Sequence, residues 1–174
     1  MITNLPAGMP GVVVVQHMPP VFTATLASRL DQYSRLRVTE ARHGDQVTAG
    51  RVLVAPGGKH VKVFRAGGEY RISITEHGKV DGHRPSVTVL MRSIAKCAGA
   101  DAVGALLTGM GRDGADGLLS MRNAGASTLA QDEATSVVWG MPGVAWAIGA
   151  AERLVPLGEM ASALVAQVQQ RRVV

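Results

Sequence analysis

The sequence predicts an α/β fold, namely a doubly wound, mostly parallel sheet with helices on both faces and a small antiparallel hairpin insertion. Three observations predict it. Short apolar runs alternate with segments whose apolar residues recur at helical spacing, which is typical of parallel strands joined by helices. Clusters of glycine and proline follow several of these runs and mark turns. Two β-rich runs are separated by a short turn that contains Ala-Gly-Gly at residues 66–68, and this spacing predicts the hairpin.

The first half of the chain should form one helix and several strands. Residues 1–11 are expected to be a loop, and the valine run at residues 12–16 predicts a strand that is buried on both faces. Residues 22–30 have helical spacing and should form the connecting helix. Further β-rich runs lie at residues 37–41, 51–55, 60–64 and 70–75.

The second half begins with a helix that Ser86 is expected to cap. Its apolar residues share one side, and they are Val87, Leu90, Met91 and Ile94. The remaining predicted elements alternate between strand and helix, in this order: residues 102–108, 116–123, 127–130, 144–148, 152–155 and 157–169.

Composition limits the class of protein. The chain has 174 residues, of which 47% are hydrophobic, so we expect one packed domain over residues 1–174. A single cysteine cannot form an internal disulfide, no apolar run approaches the ~20 residues that a membrane span needs, and no signal pattern opens the sequence. These features predict a cytoplasmic protein. The formal charge of +5 comes from scattered basic residues without interleaved aromatic residues, so no nucleic-acid partner is predicted.

Two residues at predicted strand ends are the leading catalytic candidates. Residues 106–117, LLTGMGRDGADG, join a buried strand to a helix, and Asp113 is the carboxylate among their glycines. His17 follows the valine strand directly. Because the carboxyl ends of parallel strands meet at one edge of a sheet, both residues should lie there. A histidine that donates a hydrogen bond to a buried carboxylate can act as general base for a nucleophile in ester or acyl transfer.

An alternative interpretation uses the same loop. Gly109, Gly111 and Gly114 satisfy G-x-G-x-x-G between a strand and a helix, and Asp132 lies where a ribose-binding acid would be expected. This pattern is typical of a dinucleotide site. However, Asp113 would stand inside the turn that holds the phosphates, where its charge would repel the pyrophosphate.

The sequence lacks a clear nucleophile and a clear metal site. It contains no G-x-S-x-G turn, and Ser136 is the least implausible serine because it lies in a loop near the carboxyl edge. No spacing of histidines fits a metal, so no metal is predicted, and the ester-transfer interpretation requires no cofactor. The histidines other than His17 are expected to be solvated in hydrophilic turns, and they are His43, His60, His77 and His83.

Several segments together resemble the catalytic domain of the chemotaxis protein-glutamate methylesterases, the CheB family. The resemblance covers essentially the whole chain and its blocks appear in family order. They are VVVVQHMPPVFTATLASRL, VAPGGKH, RPSVTVLMRSIA, LLTGMGRDGADGLLSMRNAGASTLAQDEATSVVWGMP and AIGAAERLVPLGEMA.

The resemblance implies an activity and a set of residue roles. Family members hydrolyse glutamyl methyl esters on chemoreceptors, and many deamidate glutamine there, through a serine, a histidine and an aspartate. His17 then corresponds to the general base and Asp113 to the acid that orients it. Met110 corresponds to the methionine beside the site whose backbone helps to hold the oxyanion, and Gly111 lines the site with it. Thr88 stands where the family usually has an acidic residue.

The resemblance also implies that part of the family pattern is not in this sequence. The Gly-x-Ser-Thr-Gly-Gly turn that carries the nucleophile should precede Met1, so the chain is expected to be an N-terminally truncated member with little or no esterase activity. A receiver domain belongs to a longer form or to a separate chain. The partners implied are methyl-accepting chemotaxis receptors, and a non-catalytic module that binds these receptors is the alternative function.

Overall fold

The computed structural model describes residues 1–172, which fall into two compact units. The first unit is residues 2–90. The second begins at residue 91 and also contains Met1. The division falls within one helix, α2 (Val87–Cys97), immediately after Leu90.

The first unit contains a parallel sheet and an antiparallel hairpin. Its elements are β1 (Val12–Val14), α1 (Phe22–Tyr33), β2 (Arg37–Glu40), β3 (Arg51–Val54), β4 (His60–Ala66) and β5 (Glu69–Thr75). The parallel strands are ordered β1-β3-β2, and α1 connects β1 to β2. The strands β4 and β5 form the hairpin, with His60 opposite Thr75, and an isolated antiparallel bridge joins Arg71 of β5 to Gln46.

The central strand of this sheet is β3, and its position explains its burial. Val52, Leu53 and Val54 are fully buried because β3 is paired on both sides. The register places Val13 of β1 opposite Leu53, and Val38 of β2 opposite Val52. The valines of β1 are only half-buried, contrary to the expectation of burial on both faces. Within the described residues β1 pairs with β3 alone, so it lies at an edge of its sheet.

The second unit contains a parallel sheet with helices between its strands. Its elements are β6 (Val103–Leu106), α3 (Ala115–Asn123), β7 (Ser127–Gln131), α4 (Met141–Ala147), β8 (Arg153–Val155) and α5 (Met160–Arg172). The strands are ordered β6-β7-β8, and the central strand β7 is buried along its whole length.

Close packing defines the core of the second unit. A Cβ atom on Gly104 of β6 would lie 2.8 Å from Leu118 Cδ1 and 3.0 Å from Met121 Sδ, so glycine lets α3 approach the strand. On the side of α5 the buried cluster is Leu129, Val155, Met160 and Ala163, and Met1 packs against it.

The predicted class is confirmed: mostly parallel strands alternate with helices, and a small antiparallel hairpin is present. The parallel strands form two separate three-stranded sheets rather than one continuous ladder. Most element ends differ from the predicted ends by a few residues. The helix expected over 144–148 begins at Met141, since Pro142 suits the first turn of a helix. The single domain expected over residues 1–174 stays a prediction.

One core residue gives a test of the packing. The side chain of Thr128 in β7 is fully buried, and its Oγ1 has no hydrogen-bond partner among the described residues. Because valine has nearly the same shape without the hydroxyl, Thr128→Val should raise the free energy of unfolding by about 1 kcal/mol. Equilibrium urea denaturation measures the change. Thr128→Ser keeps the hydroxyl and removes the methyl group, so it should lower stability; a destabilised valine variant would contradict this account.

Candidate active site

His17 lies in the irregular segment that follows β1. Its ring is half-buried and stacks on the ring of His83, with ring centroids 3.9 Å apart and planes inclined by 12°. The prolines that follow, Pro19 and Pro20, cannot donate backbone hydrogen bonds, so regular pairing cannot continue past the histidine. The sequence therefore places an imidazole at the carboxyl end of the first parallel sheet.

A glycine turn after β3 fixes the segment that follows His17. A Cβ atom on Gly57 would lie 2.5 Å from the carbonyl carbon of Pro19, so only glycine permits this backbone approach. The N–H of Gly57 donates to Thr23 Oγ1 at 3.0 Å, and the same hydroxyl donates to Glu40 Oε1 at 2.6 Å. The ends of β1, β2 and β3 are thereby joined by packing and hydrogen bonds.

The loop that presents His83 is held by its own hydrogen bonds. Val80 and His83 exchange two backbone hydrogen bonds, at 3.1 and 2.9 Å. The guanidinium of Arg84 donates to the carbonyl oxygens of Glu76 and His77, at 2.9 and 3.0 Å. These contacts give the loop one conformation over the residues that carry His83.

His60 supports the same loop by hydrogen bonds to its backbone, although the sequence predicts a solvated side chain. Its side chain is 1% exposed. Nδ1 accepts the N–H of Ser86 at 3.2 Å, and Nε2 lies 2.9 Å from the carbonyl oxygen of Gly78. Because Nδ1 accepts a hydrogen bond, the proton belongs on Nε2, which donates to Gly78. The prediction was wrong because the loop covers the start of β4.

Three other histidines were also expected to be solvated. His77 is exposed, as predicted, and so is His43, whose Nδ1 accepts the N–H of Ile74 at 3.3 Å. His83 is half-buried in its stack with His17, so the prediction was wrong for this residue. The stack was missed because the two rings are distant in sequence and no local periodicity relates them.

A cleft of about 580 Å³ opens at the carboxyl ends of the first parallel sheet. It adjoins the segment after His17, because Pro20 and Gly57 line it. Lys59 Nζ lies 2.9 Å from Glu76 Oε1 at its rim. The hydrogen bond from Lys59, together with its charge, lowers the pKa of Glu76 below its usual value. The other lining residues are Val21, Glu40, Ala41, Arg42, His43, Pro56 and Ile74.

In the second unit, Asp113 lies in the turn between β6 and α3. Its side chain is fully buried, whereas Asp116 in the first turn of α3 is partly exposed and pairs with Arg112 at 3.0 Å. The turn needs glycine on either side of the carboxylate, because Gly111 and Gly114 have φ of 86° and 93°. A buried carboxylate is costly unless neighbouring groups compensate it, which makes Asp113 a candidate functional group.

The loop before Asp113 packs backbone to backbone against the segment that begins α4. A Cβ atom on Gly140 would lie 2.7 Å from the carbonyl oxygen of Gly109, and one on Gly109 would lie 2.3 Å from Met141 Sδ. Gly109 also donates to Val138 and accepts from Met141, at 3.1 and 2.8 Å. The Thr108 hydroxyl adds two more bonds to the backbone of Val138. The loop is therefore held by the close approach at Gly140 and by the hydrogen bonds of Thr108 and Gly109.

Gln131 connects this loop to the next one, a role that is not among the predictions from the sequence. It is fully buried at the end of β7, where Oε1 accepts the N–H of Thr108 at 2.9 Å and Nε2 donates to the carbonyl oxygen of Thr135 at 2.7 Å. The carbonyl oxygen of Gln131 accepts from Trp139 Nε1 at 3.2 Å. A polar residue at the end of an apolar strand was the available signal.

Met110 and Gly111 lie at the surface of the same loop. The Met110 side chain is 80% exposed, and Gly111 is exposed as well. The described hydrogen bonds of the loop use the N–H of Gly109 but not those of Met110 or Gly111. Backbone N–H groups in such a position can hold a developing oxyanion.

Comparison with known proteins identifies the family. The family model described as CheB methylesterase matches residues 1–164. The chain belongs to the CheB methylesterase family. The crystal structure of the Thermotoga maritima CheB methylesterase catalytic domain superposes with a TM-score of 0.92 at 36% sequence identity, covering 95% of this chain and 88% of that one.

Curated relatives of this CheB-family chain are longer than it is. The protein-glutamate methylesterase/protein-glutamine glutaminase 2 of Pseudomonas aeruginosa is 52% identical over 170 residues, which are 98% of this chain and 49% of that protein. The protein of the same name from Shewanella denitrificans is 54% identical over 160 residues, which are 92% of this chain and 46% of that protein. The chain thus spans about half the length of these curated relatives.

Within this CheB-family chain, the predicted site residues fall in both compact units. Asp113, Met110 and Gly111 share one loop of the second unit, and His17 belongs to the first unit. The pairing of His17 with Asp113 stays a prediction. No group of three or more His, Cys, Asp or Glu side chains that could hold a metal occurs in the described part of the chain. No helix within it is long and apolar enough to span a membrane.

The dinucleotide alternative gains no support from the geometry. The N–H of Gly109 is already bonded to Val138, and Asp113 is buried inside the turn that would have to hold phosphates. The carboxylate of Asp132, the expected ribose ligand, accepts hydrogen bonds from the N–H and the hydroxyl of Thr135. Groups that a dinucleotide would need are therefore engaged within the protein.

Ser136 is an unsuitable nucleophile in this geometry. Its hydroxyl donates to the carbonyl oxygen of Asp132 at 2.7 Å.

Two residues near the start of α2 also make local hydrogen bonds. Thr88, at the position where the family resemblance implies an acidic residue, is 1% exposed, and its hydroxyl donates to Asp81 Oδ2 at 3.1 Å. Ser86 caps α2 as predicted, because its hydroxyl accepts the N–H of Val89 at 3.3 Å.

The approach of Gly57 to Pro19 can be tested directly. Gly57→Ala should lower the free energy of unfolding by about 1–3 kcal/mol, because the added methyl group overlaps backbone that cannot rotate away. Urea denaturation monitored by circular dichroism gives the value. A matched control is Gly8→Ala, since a Cβ atom there would meet nothing within 4 Å; it should change stability by less than about 0.5 kcal/mol. Equal effects at the two glycines would refute the close approach.

Proposed function

We propose that this chain carries the general base and the orienting acid of a protein-glutamate methylesterase that acts on chemotaxis receptors. The observation that carries the proposal is the fully buried Asp113 in a glycine turn at the carboxyl end of β6. His17, at the carboxyl end of β1, is its proposed partner. The CheB family membership and the names of the curated relatives support the same reaction.

The proposed reaction has two stages. A serine hydroxyl attacks the carbonyl carbon of a glutamyl methyl ester while His17 takes the hydroxyl proton, and this proton then leaves with methanol. Water, deprotonated by His17, next hydrolyses the acyl-enzyme and restores the serine and a free glutamate side chain. Asp113 holds the His17 ring in one tautomer and stabilises the imidazolium formed in each stage.

The loop before Asp113 would supply the oxyanion site. Negative charge develops on the carbonyl oxygen in both tetrahedral intermediates, and N–H groups fixed in advance stabilise it. The N–H groups of Met110 and Gly111 are the proposed donors. Their loop is fixed by the contacts of Gly109 with Gly140 and Met141, so it need not reorganise during the reaction.

The nucleophile is proposed to lie in a Gly-x-Ser-Thr-Gly-Gly segment upstream of residue 1. The described serines offer no replacement at a sharp glycine-flanked turn, and Ser136 is bonded to a backbone carbonyl. The greater length of the curated relatives is compatible with such a segment. A receiver domain in a longer form or a separate chain belongs to the same proposal.

The proposed substrate is a glutamyl side chain on a receptor helix, and the proposed location is the cytoplasm. The relatives are named for glutamine as well as glutamate chemistry, so deamidation of receptor glutamine is part of the proposal. The cleft beside Pro20 and Gly57 has a volume of about 580 Å³, enough for residues that flank the reacting side chain.

Release of labelled methanol from methylated receptor tests the activity. We expect the 174-residue chain to be slower by a factor of about 10³ or more than a version extended upstream with the serine segment, because the nucleophile is then present. Normal turnover by the short chain, abolished by Ser136→Ala, would show that the nucleophile has been misassigned. If the 174-residue chain folds and binds receptor, and the extended version is also inert, the non-catalytic receptor-binding module is favoured.

A specific role of the Asp113 carboxylate can be distinguished from a general effect of negative charge near the same turn. In the extended version, Asp113→Asn should lower kcat by about 10⁴-fold, because an amide cannot hold the base in the required tautomer. Asp116→Asn is the matched control: Asp116 lies in the adjoining turn, partly exposed and paired with Arg112, and it should leave kcat unchanged. Steady-state methanol release measures both. Similar losses in the two variants would contradict a specific role for Asp113.

A further inference from the structure

The contact between His17 and His83 carries an inference that goes beyond the roles proposed so far. The two imidazole rings lie almost parallel, with centroids 3.9 Å apart and an angle of 12° between planes. We propose that His83 is a positioning residue, which holds the plane of the His17 ring so that its nitrogens face the reacting atoms. This inference rests on the proposed function, because it deepens the description of that same base.

Stacking suits a general base for a geometric reason. The lone pair and the N–H bond of an imidazole both lie in the ring plane, so a neighbour on the face leaves both nitrogens available. A side chain hydrogen-bonded to the ring edge would instead compete with the nucleophile or with Asp113. Proton transfer also requires the ring to be held within about 10–20° of its productive orientation. A flat partner on the ring face restricts rotation of that plane.

The loop that carries His83 is rigid enough for this task. The two backbone hydrogen bonds between Val80 and His83 hold His83 in place, and Arg84 closes the loop by binding the carbonyl oxygens of Glu76 and His77. Gly58, in the turn beside Pro20, donates to the carbonyl oxygen of Arg84 at 3.2 Å. The loop is therefore attached to the same strand-end turn that fixes the segment after His17.

Two buried side chains support the loop from its other side. His60 binds the backbone of Gly78 and Ser86, on either side of His83 in sequence. Thr88 donates to Asp81, which has a positive φ of 50° and lies in the short turn between Val80 and His83. Thr88, at the position where the family resemblance implies an acidic residue, thus helps to hold the loop that carries His83.

Nuclear magnetic resonance on the 174-residue chain tests the contact without requiring activity. Stacked rings shield each other, so the ring protons of His17 should resonate upfield of their ordinary positions. His83→Ala should remove this upfield shift, and His83→Phe should retain it because phenylalanine offers a flat aromatic face. His77→Ala is the matched control, since His77 is an exposed histidine of the same loop. An unshifted His17 in the unsubstituted chain would overturn the inference.

Kinetics of the extended, serine-containing version test the role. We expect His83→Ala to lower kcat by about 10–100-fold with little change in KM, as is typical when a reacting group is misplaced by about 1 Å. His83→Phe should recover most of the activity, and His77→Ala should match the unsubstituted enzyme. Thermal melting of each variant distinguishes loss of positioning from loss of folding. If His83→Ala fails to fold, the kcat of His83→Phe and the upfield shift of the His17 ring protons test the inference instead.

The outcomes distinguish this inference from the proposed function. Full activity in folded His83→Ala, with Asp113→Asn inactive, would overturn the positioning role and leave the methylesterase proposal standing. Equal loss of kcat in the alanine and phenylalanine variants would also overturn it, because stacking would then not be what matters. An inactive extended version would overturn both, even if the rings stack.

Discussion

Backbone contact that only glycine permits is the constraint on which both candidate loops depend. At the end of β6, Gly140 approaches the carbonyl oxygen of Gly109. At the end of β3, Gly57 approaches the carbonyl carbon of Pro19. A side chain at Gly140 or at Gly57 would separate the two segments, and the loop would lose the hydrogen bonds that follow from the contact. Loops positioned in this way need few long side chains to hold them.

Hydrogen bonds from buried polar side chains further restrain the loops that the glycine contacts position. Gln131 satisfies the backbone of Thr108 and Thr135, and His60 satisfies that of Gly78 and Ser86. Each side chain uses a donor and an acceptor on backbone groups of the loops around it. Buried polar groups paired in this way fix a unique arrangement, because any displacement leaves a desolvated group without a partner. In each unit, one such residue organises a loop that carries a proposed functional group.

The sequence was sufficient for the order of the elements and for the placement of His17 and Asp113 at strand ends, because those properties depend on local periodicity and on glycine and proline. It was insufficient for His60 and His83, whose surroundings come from segments far away in the chain. The half-burial of β1 was missed for a related reason: a valine run predicts a strand but not how many neighbours pair with it. Family resemblance added the expected oxyanion role of Met110 and Gly111 and the receptor substrate, which no spacing or periodicity indicates.

The proposed mechanism takes its base from one compact unit and its acid from the other. Contacts inside its own unit act on each group: the close approach of Gly57 and the His83 stack for His17, and the turn of Gly111 and Gly114 for Asp113. The stack gives the ring of His17 a partner on its face in addition to the proposed acid. The acid would then contribute mainly through the tautomer and the charge of the imidazolium, while the stacked partner contributes through orientation. Two separate requirements of one proton transfer are thereby assigned to two separate side chains.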